Sequence, residues 1–135
     1  MLKIVLVGIG GFMGAILRYY LSTYIQKLAQ SSGFPMGTLV VNLTGCITIG
    51  LLSRIDEIKD FFSPELRLIL FMGFLGAFTT FSTFGNETIQ LIQAKRFDFA
   101  IINLLTHVVM GLLAVLAGRF MIDILLCHVT SPLNK

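Results

Sequence analysis

Apolar residues run along this chain in four long stretches, at about 2–25, 35–53, 65–94 and 99–126, and polar residues gather in the short connectors between them. A hydrocarbon core of about 30 Å takes on the order of 20 helical residues to cross. The pattern therefore predicts four transmembrane helices in one membrane domain spanning residues 1–135. The third stretch is interrupted. Residues 66–72 are almost wholly apolar and 88–94 resume a helical pattern, but 73–87 read GFLGAFTTFSTFGNE, with glycines and hydroxyls among evenly spaced phenylalanines. Backbone that leaves the helix at membrane depth is tolerated only when buried in protein or lining a wet cavity or ion site. The expectation is an all-α integral membrane protein whose third helix is broken at its centre, with an ion or solute pathway at the break.

Composition agrees with a membrane protein. Of 135 residues 56% are hydrophobic, and the mean hydropathy is +0.89. The formal charge of +3 comes from basic residues scattered over connectors and ends, without a polybasic block, so nucleic acid is not an expected partner. Cys46 and Cys127 lack the spacing of a metal or redox motif and are expected to pack. The first stretch superficially resembles a signal peptide, with Lys3 before an apolar run. Gly10 and Gly14 in GxxxG spacing, with Ala15 beside them and Arg18 beyond, mark it instead as a retained helix that packs closely on another.

Polar residues inside the stretches are the candidate chemistry. Arg18 either snorkels to the headgroups or lines a vestibule that attracts anions, and Tyr19, Tyr20 and Tyr24 follow it as an interfacial belt. The second stretch holds Thr38, Asn42 and Thr44 among apolar residues. A buried asparagine amide must find another helix, water or a permeating ion. In the third stretch Phe78, Phe81 and Phe84 recur every three residues and are expected to share a face, with Thr80 beside Thr83 and Thr79 beside Ser82 along one wall. Phenyl edges and hydroxyl protons suit a small hydrated anion, because they replace water without a full positive charge that would trap it. Glu87, a turn beyond Phe84, is expected near the interface. The last stretch carries Asn103 and His107 on one face, then Gly111, Ala114 and Gly118 as packing positions, and a tail from His128 onward that reads as exposed.

No carboxylate pair, metal cluster or nucleophile with its base is visible, so an enzyme is not expected. A four-helix multidrug antiporter needs an intramembrane carboxylate, and the first two spans have none in their interiors. With both termini and the second connector on one side, that side holds Lys3, Arg54, Lys59, Arg67, Arg119 and Lys135, against Arg18, Lys27, Lys95 and Arg96 on the other. So weak a bias fits insertion in both orientations and an antiparallel dimer.

In this order of motifs the chain resembles the Fluc fluoride channels, also called the CrcB family, along nearly its whole length. GGFMGAILRYY is similar to the family's first-helix motif, GTLVVNLTG to its second, GFLGAFTTFSTFGNE to its broken third helix and GLLAVLAG to the ending of its fourth. The resemblance implies a fluoride-specific channel of the plasma (inner) membrane that lets fluoride leave passively and so confers fluoride resistance. It also implies a dual-topology antiparallel dimer with two pores and a central structural sodium ion that is not transported. Carried over by position, the pore asparagine is Asn42, the phenylalanines facing fluoride are Phe81 and Phe84, the hydroxyl track is Ser82 and Thr83, and the vestibule arginine is Arg18. The sodium-holding carbonyls are those of Gly76 and Thr79 in each subunit. Thr38, Asn103 and His107 complete the expected pathway, although the family's fourth helix carries an aromatic or polar residue and then a serine where this chain has Asn103 and His107. A histidine there donates to the anion, narrows the path, or belongs to a pore that is inactive within a heterodimer of related chains. A homodimer, a heterodimer with an incomplete pore, and a small dual-topology multidrug antiporter are the readings carried forward.

Overall fold

The computed structural model describes residues 1–130. The helices are Leu2–Leu28 (first), Met36–Lys59 (second), a third span over Pro64–Gln93, and a fourth over Phe97–Leu105, Thr106–Met110 and Gly111–Thr130. All four are long and apolar enough to cross a membrane. The fourth runs through His128 to Thr130, where the sequence places an exposed tail; residues 131–135 of that tail lie outside the described residues.

Backbone-to-backbone seams hold the bundle together. The first helix lies on the early part of the third span, a wide-turned π-helix over Leu68–Leu75. A Cβ added at Gly10 would strike Ile69 O and one at Gly14 would strike Phe74 O, so only hydrogen fits at either position. The second helix meets the fourth in the same way, with Gly50 against Val115 O and Gly118 against Ile47 O. In lipid such seams matter more than apolar burial, because tails and side chains are equally greasy and close packing supplies the attraction.

Polar contacts close the ends. Gln26 of the first helix donates to Phe34 O at 3.1 Å and accepts from the Gly37 N–H at 3.0 Å, which fixes the entry into the second helix. That helix does not end near Ser53, where the charged run begins, but continues to Lys59. The reason lies in its partners. Arg54 pairs with Glu57 at 3.3 Å on its own helix and with Asp123 of the fourth at 2.7 Å, while Arg119 pairs with Glu57 at 2.6 Å. Arg67 at the head of the third span reaches back to Asp56 at 2.8 Å and to Asp60. Charges that read as a loop are thus a helix end stapled to two neighbours. The turn comes at Asp60, in the left-handed region at φ 46°. Ser63 then caps the third span, its Oγ accepting from Leu66 N–H at 3.2 Å, with Pro64 in the first turn.

Candidate functional site

The third span breaks at Thr79 and Thr80, whose backbones are extended at φ −91°, ψ 152° and φ −148°, ψ 118°. Helix resumes at Phe81 because Thr80 caps it, its Oγ1 accepting from the Thr83 N–H at 3.2 Å. The break also has a partner on the second helix. Asn42 Nδ2 donates to Thr80 O at 3.1 Å, and its Oδ1 accepts from the Thr80 N–H at 2.9 Å. One amide therefore satisfies both backbone groups of an extended residue in mid-bundle, as a neighbouring β-strand would.

These bonds strip acceptors of their helical donors. In an unbroken helix Gly76 O would take the Thr80 N–H and Thr79 O the Thr83 N–H. The first is given to Asn42 and the second to the Thr80 hydroxyl. Gly76 and Thr79 thereby carry carbonyls released from the ladder on a cleft of about 360 Å³, which Asn42, Phe81, Phe84 and His107 also line. Ala77 O receives Arg18 Nε at 3.0 Å from the first helix, so the half-buried guanidinium sits at the negative end of the half-helix before the break. Arg18 has no acidic partner among the described residues.

The phenylalanine stripe divides at the break. Phe78 does not share a face with the other two, because the extended residues intervene; it is buried and stacks on Phe74 at 5.8 Å. Phe81 and Phe84 stay together, ring centroids 5.4 Å apart in an edge-to-face pair. They differ in environment: Phe81 is 82% exposed and Phe84 only 6%. The hydroxyls gather on Thr80, whose Oγ1 lies 3.1 Å from Thr83 Oγ1 and 3.2 Å from Ser82 Oγ. Thr79 Oγ1 does not join Ser82, since it turns back to donate to Leu75 O at 3.0 Å.

A second, larger cleft of about 780 Å³ opens toward the end where Lys27 and Arg96 lie, and Thr38, Thr83 and Glu87 line its inner part. Thr38 Oγ1 donates to Glu87 Oε1 at 2.5 Å, and Glu87 Oε2 is buried without a protein partner. Glu87 is therefore a residue of the wall that pairs with the second helix. Its helical offset from Thr83 is the signal a sequence reading offers, since residues four apart share a face.

Asn103 does not line either cleft. It is fully buried and donates from Nδ2 to Thr88 Oγ1 at 2.9 Å, while Thr88 donates to Phe84 O at 2.8 Å. Its Oδ1 has no protein partner. His107, one turn on, bonds through Nδ1 to Asn103 O at 3.0 Å and lies stacked on Phe84 with ring centroids 4.4 Å apart. The two residues share a face as their spacing predicts, but only His107 reaches the cleft. Thr88, which ties the two helices beneath Phe84, carries no mark in the sequence beyond its helical position.

Residues 5–119 match the model of the family described as CrcB-like protein, Camphor Resistance (CrcB). The chain is 42% identical over 119 residues to a Methanosarcina acetivorans protein described as fluoride-specific ion channel FluC 1, covering 88% of this chain and 89% of that one. It is 40% identical over 121 residues to the fluoride-specific ion channel FluC of Ruminiclostridium cellulolyticum, covering 90% and 92%. It is 42% identical over 122 residues to that of Shewanella frigidimarina, covering 90% and 97%.

Proposed function

The chain belongs to the CrcB family, and from that premise we infer that it is a fluoride-specific ion channel, passing fluoride passively across the plasma membrane in which its four helices sit. It is a channel and not an enzyme. The match to fluoride channels over nearly nine-tenths of the chain carries this reading. The path we assign runs past Arg18, Thr38, Asn42, Phe81, Ser82, Thr83, Phe84 and His107, with Asn103 behind them as support for Phe84 and His107. What favours it is chemistry. Asn42 keeps an N–H beyond the one given to Thr80, the Phe81 and Phe84 edges carry the positive side of the ring quadrupole, and the hydroxyls rotate to donate. None of these holds a full charge, so an anion can shed water against them and still leave.

The reading extends to an antiparallel dimer with a structural sodium ion. Support comes from the released carbonyls of Gly76 and Thr79, since a hard cation takes oxygen ligands and a second chain would double these two. Gly76 and the Phe81 ring are exposed in the single chain, as expected of surfaces that a second chain covers. Bound there, sodium supplies positive charge that ties two breaks together. The test is fluoride efflux from liposomes holding only this purified chain, with chloride as control. Efflux of fluoride and not chloride is expected, and a rate equal to that of protein-free liposomes overturns the reading.

A further inference from the structure

Among the described residues His107 is the one titratable group of the fourth helix that lines the pathway cleft, and its two nitrogens are in opposite situations. Nδ1 faces the backbone carbonyl of Asn103 at 3.0 Å. A carbonyl oxygen only accepts, so Nδ1 must carry the proton. In the neutral ring Nε2 then bears a lone pair, and it is buried without a protein partner. His107 lines the cleft assigned to the anion path, and an unpartnered lone pair in that wall has the wrong sign for an anion.

One neighbour suits the other state. Phe84 lies flat against the ring, centroids 4.4 Å apart at 27°, and a phenyl face attracts an imidazolium. Titratable neighbours are few. From the second helix Cys46 lines the cleft, from the third span the lining residues carry no charge, and Glu87 belongs to the other cleft with Thr38. Among the described residues no carboxylate lines this cleft to compete for a proton or an ion pair at Nε2.

Resting on the assignment of this cleft to the fluoride path, we propose that His107 is a proton-linked specificity residue: Nε2 takes a proton from solvent, becomes a hydrogen-bond donor beside the Phe81–Phe84 pair, and binds fluoride in that state. The imidazolium charge and the anion charge cancel, so the two ligands enter together. When the proton leaves, the donor becomes a lone pair again and the anion loses a charge-assisted hydrogen bond. Histidine is the side chain suited to this between about pH 5 and pH 8.

The test uses the full-length protein in two measurements. The first is fluoride flux in liposomes from about pH 8 to about pH 5, with leak of undissociated acid subtracted from protein-free liposomes. The fluoride concentration for half-maximal flux should fall about tenfold with acidification, the scale of one charge-assisted hydrogen bond. In His107→Gln and His107→Asn, which keep a neutral amide of similar reach, that concentration should not change with pH. The second is the titration of His107 followed by NMR on histidine-labelled protein in a His128→Gln background. Linkage requires fluoride, and not chloride, to move its midpoint toward higher pH. An equal pH response in wild type and both variants, or a midpoint indifferent to fluoride, overturns the proposal. A midpoint that moves in a protein without flux upholds it while removing the channel reading, so the two failures are distinguishable.

Discussion

Asn42 grips Thr80 by both backbone groups, with bonds of 3.1 Å to its carbonyl and 2.9 Å from its N–H, across 38 positions of sequence. The break in the third span is therefore set by the second helix as much as by its own threonines. Asn42→Ala leaves both groups without a partner at membrane depth, which costs about 2 kcal/mol or more. We expect it to lower thermal stability in detergent and to abolish flux together. Asn42→Asp keeps the acceptor and loses the donor, so it should fall between the two. An Asn42→Ala protein as stable as wild type would confine the residue to contact with the ion.

The two phenylalanines should separate packing from recognition. Phe81 is exposed in the single chain, so Phe81→Met should leave its fold intact, whereas Phe84→Met loses the stacked contact with His107 and should cost up to about 1.5 kcal/mol. Both lose the positive ring edge while keeping apolar bulk. Reduced fluoride flux per assembled channel is expected in both, and wild-type rates in both would return the rings to packing alone.

Sodium should matter through backbone atoms. Replacing all sodium with a large organic cation is expected to silence fluoride flux and weaken the proposed dimer, and returning sodium should restore both. Thr79→Ser keeps the carbonyl and should behave as wild type. Thr79→Pro removes the N–H that bonds Leu75 O at 3.0 Å and should not. Undiminished flux in sodium-free buffer on both faces would remove the ion from the account.

The glycine seams predict a graded series. At Gly14 and Gly118 an added side chain meets backbone that cannot step aside, and Gly14→Val or Gly118→Val should destabilise by about 1–3 kcal/mol. Gly85 has nothing within 4 Å of an added Cβ, and Gly85→Ala should be neutral or slightly stabilising. Thermal melting of the three variants in one detergent checks the order.

Four helices, the central break and the close first helix were legible in the sequence because each leaves a local mark. Membrane crossing needs a continuous apolar run, a helix break leaves hydroxyls and glycines, and close approach leaves Gly10 and Gly14 four apart. The resemblance of the third-helix motif also reached the right family. What local spacing misreads is anything decided by a partner far along the chain. The run from Arg54 to Lys59 looks like a loop until Asp123 and Arg119 arrive to neutralise it. Phe78 reads as one of a set with Phe81 and Phe84 until Asn42 holds Thr80 extended between them. Asn103 reads as facing the pathway with His107, yet its amide nitrogen donates to Thr88, and only the packing of two helices decides which of two residues on one face reaches the cleft. Periodicity records which way a side chain points from its own helix axis. Which polar group satisfies which buried partner is a pairing across the bundle, and only the tertiary structure decides it.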